Sequence, residues 1–251
     1  MTLMNSKGKS SKITTVLQAS GKTGFRKYRE LFYGKVSMGF IFKGELLSML
    51  IGSMPGAAGI LLRSKLYPCL FGKVDGKLFI GKNCTLRHSK KIRIGKNVII
   101  DDNCVIDAKG EDNEGITIGD NVFIGRNTII YCKNGNIHIK KGVSISANCT
   151  LFSSNQLTME ANSVVGAYSY LLSGGEYDYT DTTTKFVDQT GMETEGELVV
   201  GSNCWLGARV TVIDAACIGD HCVIGAGSVV TRPIPSNSLA FGVPASVKKS
   251  I

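Results

Sequence analysis

The chain has 251 residues with 43% hydrophobic residues and eight cysteines, enough for one elongated domain plus a small extra region. Its formal net charge of +9 is lopsided: of 29 Lys/Arg and 20 Asp/Glu, residues 1–70 hold 11 and 2, which leaves 18 and 18 for the rest. No recognisable nucleic-acid module accompanies the basic part, so no nucleic-acid partner is expected, and without a Cys-x-x-Cys pair zinc or disulfide chemistry has little support.

Residues 1–24, rich in Ser, Lys and Thr, read as a disordered basic tail. Residues 25–71 read as a helical cap. Within them Leu46 to Leu62 is an uncharged, mostly apolar run of 17 residues, followed by Arg63 and Lys65. It is short for a membrane span, and Gly52, Pro55, Gly56 and Gly59 break it. The sharper reading is an interfacial helix pair with basic flanks lying on a membrane. Peripheral membrane contact through residues 25–71 therefore stands beside the capping role.

Residues 72–248 read as the solenoid domain, and between Ile94 and Val230 an aliphatic residue recurs every six positions. Ile94, Ile100 and Ile106 form one set of three; Ile118, Ile124 and Ile130 form the next. Ile139, Ile145 and Leu151 follow, then Met159, Val165 and Leu171. An unbroken run closes the series: Val200, Leu206, Val212, Ile218, Ile224 and Val230. A fixed hexad is the signature of a parallel β-helix, an all-β solenoid in which three hexads make one triangular coil. The leading aliphatic points inward, and so does a small residue four places on. Cys84, Cys104, Cys149, Cys204 and Cys222 occupy that second slot, where they serve as small hydrophobes. Free core thiols fit a reducing cytosol, and membrane contact would place the chain at the inner face of the membrane.

Extra residues enter after Leu86, Ile106, Ile130, Leu151 and Leu171. From Ile106 onward each follows a completed set of three, so the insertions should stack along one corner of the prism. Four are short. The fifth, Leu172 to Val199, is long, polar and aromatic, and a long loop on a rigid scaffold commonly carries function. Cys132 reads as a non-core cysteine in one of the short insertions.

Cys204-Trp-Leu-Gly-Ala-Arg209, Val223-Ile-Gly-Ala-Gly-Ser-Val-Val-Thr-Arg232, Ile234-Pro235 and Gly242-Val-Pro-Ala245 resemble, in order, the hexapeptide-repeat acyltransferases, most of all their sugar O-acetyltransferase branch. The resemblance implies a left-handed parallel β-helix, a homotrimer, and acetyl-CoA as donor, with active sites in the grooves between neighbouring prisms. It also implies that Trp205 lines the cleft near the thioester. Gly207, Ala208, Ala226 and Gly227 would leave backbone open to the pantetheine arm. Thr231 and Arg232 match a Thr-basic pair near the nucleotide end, where a guanidinium suits phosphate.

Acetyl transfer to a hydroxyl needs a base for its proton and donors for the developing oxyanion. The resemblance puts the base on a histidine in the long loop, in a pattern like Gly-Gly-x-His-Asp-Phe/Tyr. This chain reads Gly174-Gly-Glu-Tyr-Asp-Tyr179, so the slot falls on Tyr177, with Glu176 beside it. Tyrosine ordinarily titrates near 10, too high for a base at neutral pH. Glu176 or Asp178 would serve if desolvation raised a carboxylate pKa. His138, in an insertion two coils from the loop and roughly 10 Å away along the axis, is a further candidate. The related γ-class carbonic anhydrases hold zinc with three histidines; the histidines here lack that pattern and no metal is expected. The leading expectation is acetyl-CoA-dependent O-acetylation of a sugar hydroxyl, on a nucleotide sugar or lipid-linked glycan, in cell-surface polysaccharide assembly. N-acylation of an amino sugar and a catalytically silent trimeric scaffold are the alternatives.

Overall fold

The computed structural model describes residues 21, 23–189 and 193–251; the reading of a disordered tail over residues 1–24 falls almost entirely outside them. Among the described residues three parallel sheets of seven, nine and seven strands form the faces of a prism. The first face runs from Lys73–Val74 to Cys217–Ile218, the second begins at Leu78–Ile80, and the third runs from Thr85–Arg87 to Val229–Val230. The chain visits the faces in that order once per coil. The second face ends in an antiparallel pair, Ser238–Gly242 with Ala245–Ser250, which closes the top of the prism. The hexad leads from Ile94 to Val230 are all buried, and so are the second-slot residues from Val98 to Ser228. Cys84, in the first coil, is only half-buried. The core is narrow because three faces converge on it, which is why the second slot takes Cys, Ser, Ala, Thr or Val and nothing larger.

The five interruptions of the hexad share one corner. Each leaves a third-face strand and returns on a first-face strand: Thr85–Arg87 to Ile92–Ile94, Val105–Asp107 to Ile116–Ile118, Ile129–Cys132 to Asn136–Ile139, Thr150–Ser153 to Gln156–Met159, and Tyr170–Ser173 to Leu198–Val200. The strands reach further into the long insertion than its hexads indicate, because Leu172 and Ser173 pair with Phe152 and Ser153, and Leu198 with Leu157. The free loop is 174–197 rather than 172–199. The same extension corrects Cys132: it continues a strand, its side chain points inward, and it is buried in the core. Burial pushes its thiol well above the ordinary range.

Among the described residues three α-helices precede the prism: α1 (Gly24–Phe32), α2 (Met38–Ile51) and α3 (Gly56–Leu66). Thr23 and Ser37 cap the first two by accepting backbone amides with their hydroxyls. Arg63 fastens this cap to the first coil and is only 1% exposed. Its Nε donates to the Ile80 carbonyl at 2.9 Å, and its Nη1 donates to Ile51 and Met54 at 2.9 and 2.7 Å. Arg63 is thus no basic flank of a membrane-facing run; it satisfies the carbonyls where helices meet the first coil. His88, buried at the shared corner, links α1 to the prism through the Glu30 carbonyl (3.2 Å) and Asp107 (2.8 Å).

Candidate active site

The corner between the second and third faces is a stack of residues in the left-handed region. Asn83, Asn103, Asn127 and Asn148 occupy it in the first four coils, all with φ between 57 and 59°. Their amides donate up the stack at 3.2–3.3 Å. Asparagine tolerates this backbone; other side chains pay about 1–2 kcal/mol for it. In the next two coils the position passes to Tyr168 (φ 62°) and Arg209 (φ 59°), and then to Gly227 (φ 71°). The backbone ladder continues unbroken through them. Arg209 sits over the Tyr168 ring at 5.8 Å. A strained Tyr and Arg where asparagine would be unstrained mark the place where the corner stops being purely structural.

The expected donor residues cluster just there. Gly207 packs so closely on the coil above that a Cβ would lie 2.7 Å from the Ala226 nitrogen. Ala208, Ala226 and Gly227 are exposed and form an open, small-residue track. Trp205, 59% exposed, lies beside the track on the outer side of the second face, between Val164 and Val223. On that face an exposed apolar column, broken by Ser144, runs through Phe79, Ile99, Phe123 and Val164 to Trp205, with Val223 above it. Thr231 and Arg232 stand elsewhere. They follow the third-face strand Val229–Val230 and so reach the far corner, with Arg232 exposed.

The long loop is rooted at that far corner. Gly174 and Gly175 turn it away from the prism at φ 71 and 91°. Gly175 has no room for a side chain, since a Cβ would lie 2.6 Å from the Phe152 ring, itself tilted against the Tyr131 ring at 4.7 Å. Asp214, buried one coil above, clasps both ends of the loop. Its Oδ1 accepts the Gly174 amide at 2.5 Å and the Thr194 hydroxyl at 3.1 Å, and its Oδ2 accepts the Glu195 amide at 2.5 Å. Glu176 and Glu193 then exchange backbone hydrogen bonds at 3.2 and 3.1 Å. Beyond them Tyr177 packs edge-on against Phe186 at 5.9 Å.

The loop's acid–base candidates differ sharply. Asp178 is committed: its Oδ1 accepts the Thr180 hydroxyl and amide at 2.6 and 2.9 Å and the Asp181 amide at 3.2 Å. Those bonds stabilise the anion and hold its pKa below the ordinary carboxylate value. Glu176 is pushed the other way, first by desolvation and then by the nearby charges of Asp214 and Glu195. Tyr177 is exposed. His138 is not in an insertion: it lies within the first-face strand Asn136–Ile139, facing outward between Thr117 and Thr158. It is two rungs below Val199, where the loop returns. Desolvation and Lys140 lower its pKa, so its imidazole is neutral at neutral pH.

Within one chain these sets do not meet. The loop's corner lies opposite the second face, so Trp205 and the loop root stand on opposite sides of the prism. The third face alone, with four-residue strands at Thr150–Ser153 and Tyr170–Ser173, keeps the two corners about 13 Å apart. Asp214, Tyr168 and Arg209 entered no functional reading of the sequence. Tyr168 and Arg209 leave a legible sign, the break in an asparagine series three places after each second-face lead; Asp214 leaves none.

Two segments match models of known repeats: residues 198–232 match the bacterial transferase hexapeptide (six repeats), and residues 115–153 match the hexapeptide repeat of succinyl-transferase. The chain carries the hexapeptide repeats of the bacterial transferases. It is 28% identical to the galactoside O-acetyltransferase of Escherichia coli K12 over 182 residues, which covers 70% of this hexapeptide-repeat chain and 86% of that protein. It is 36% identical over 116 residues to a protein of Staphylococcus aureus strain Mu50 that bears a provisional acetyltransferase name; the match covers 46% of this chain and spans 56% of that relative's length. Among solved structures, a variant of AntD, an N-acyltransferase from Bacillus cereus in complex with dTDP and coenzyme A, superposes with a TM-score of 0.52 at 20% identity. That superposition covers 79% of this chain and 91% of AntD, and at such identity it establishes the shared fold alone.

Proposed function

We propose that this hexapeptide-repeat protein is an acyltransferase that moves an acetyl group from acetyl-CoA to a sugar hydroxyl. The open track of Gly207, Ala208, Ala226 and Gly227 beside Trp205, where the asparagine stack ends, carries the reading. It offers bare backbone to a thin pantetheine arm, with Arg209 next to it and Arg232 at the far corner for phosphates. In the reaction the acceptor oxygen attacks the thioester carbonyl, and Glu176 takes its proton. The tetrahedral intermediate then collapses to the sugar ester, and the coenzyme A thiolate leaves and is protonated. Glu176 is the preferred base because its raised pKa makes it a better proton acceptor than Asp178, whose anion is stabilised by three hydrogen bonds to Oδ1.

The separation of loop and donor track favours a homotrimer, in which the loop of one copy reaches the second face of another. The exposed apolar column on that face supports the same arrangement. The acceptor is a sugar of a cell-surface polysaccharide or its nucleotide- or lipid-linked precursor. Eight free cysteines, most of them buried in the core, support a cytoplasmic location.

The test is incubation of the purified protein with labelled acetyl-CoA and a panel of glycans, read as base-labile product. No coenzyme A binding and no transfer to any hydroxyl ends the proposal. A base-stable amide on an amino sugar would establish the second reading. The absence of a histidine from the loop slot, which holds Tyr177, favours that reading, because an unprotonated amine needs only a weak base. Coenzyme A binding without turnover would instead mark a silent scaffold.

A further inference from the structure

Helix α2 is apolar on the side that should meet water. Ile41, Gly44 and Ile51 are buried on its inner side. On the outer side Met38, Phe42, Met49 and Leu50 are all exposed, Phe42 and Met49 by more than 70%. Leu61 and Leu66 extend the exposed apolar surface along α3. An ordinary surface helix is polar outside; one that is apolar all round belongs against a second apolar medium.

Length decides how that medium is met. At 14 and 11 residues, α2 and α3 are about 21 and 16 Å long. A bilayer's hydrocarbon core is about 30 Å thick, so neither helix spans it. Among the described residues no helix is long and apolar enough to cross a membrane. They are suited to lie along a surface.

Charge decides which surface. Lys35, Lys43 and Lys65 are exposed around the apolar area, and residues 1–24 add four lysines and no acid. The two acidic residues of the region are engaged by α1 and its C-terminal flank. Glu45 accepts the hydroxyls of Tyr28 and Tyr33, and Glu30 pairs with Arg26 at 3.6 Å. An apolar face with a basic rim is complementary to an anionic lipid surface, where insertion and counter-charge add.

We propose that α2 and α3 form a docking face for an anionic bilayer, which holds the prism at the membrane surface without crossing it. The proposal stands independently of the donor site. The full chain is mixed with vesicles of phosphatidylcholine alone, or of phosphatidylcholine with phosphatidylglycerol, and sedimented. Binding to the anionic vesicles, weaker in high salt, is the expected result. The triple variant Phe42→Ser, Met49→Ser, Leu50→Ser should lose roughly ten-fold or more in partitioning, since it removes three inserting side chains. These residues are exposed, so its thermal unfolding and coenzyme A binding should match the parent, which keeps this test separate from that of the donor site. Lys43→Glu with Lys65→Glu should weaken the anionic preference alone. No anionic binding by the parent, or equal binding by the triple variant, overturns the proposal. So does a change of oligomeric state in the triple variant without lipid, which would assign the face to contact between protein copies.

Discussion

The Asp214 carboxylate receives the Gly174 amide at 2.5 Å, although the two residues are 40 positions apart. With its other oxygen on the Glu195 amide, one buried side chain closes both ends of a loop that otherwise projects from the prism. Replacing it with Asn keeps the shape but turns one accepting oxygen into a donor facing a backbone N–H. Asp214→Asn should therefore loosen the loop, at a cost of about 1–3 kcal/mol locally. The check is limited proteolysis: cleavage within 174–197 should quicken while the prism stays resistant, and acyl transfer should fall without loss of coenzyme A binding.

Glu176→Gln should lower transfer by about 10²–10⁴-fold, the usual range for a general base, while Tyr177→Phe stays close to the parent. The base works deprotonated, so activity should rise with pH through Glu176's raised pKa. That acidic limb should vanish from the residual activity of Glu176→Gln. Full activity in Glu176→Gln together with its abolition in His138→Ala would move the base to the first face.

Tyr168→Asn should extend the asparagine stack one rung above Asn148, and it and Arg209→Asn should each relieve a left-handed strain. An increase of about 1 kcal/mol in stability is expected, measured by chemical denaturation. Coenzyme A binding, followed by calorimetry, should weaken in the Arg209 variant at least. A variant that is less stable and binds equally well would make these two residues ordinary corner positions.

Arg63→Met should be severe. It leaves the carbonyls of Ile51, Met54 and Ile80 without their donor in a buried site, at about 1–3 kcal/mol for each buried acceptor left unsatisfied. Thermal unfolding should drop markedly, with hydrogen exchange showing release of α2 and α3 before the upper coils.

The solenoid was readable because a hexad carries its own parity. Whether Ile94 or Cys104 faces inward follows from position within six residues, and counting whole sets of three put every insertion on one corner. The places of Trp205, Gly207 and Ala226 on the prism were readable for the same reason, whereas their proposed donor role rests on the resemblance of their motifs. Where strands extend past the hexad, as at Cys132 and His138, counting misplaced residues that the ladder hydrogen bonds drew into sheets.

Local period thus determines the core, the faces and the corner for this chain, because each depends on neighbours a few residues away. Tertiary structure decided the rest through contacts between segments far apart in sequence. It buried Arg63 under the first coil, set Asp214 across the loop, and placed the loop on the side of the prism opposite Trp205. It also separated Glu176 from Asp178, two carboxylates of like type in the same loop. Desolvation and neighbouring charge raise one, and three hydrogen bonds lower the other. The lowering of Asp178 is local, since its partners Thr180 and Asp181 are two and three residues on; the raising of Glu176 arises only when the loop closes on the prism beside Asp214.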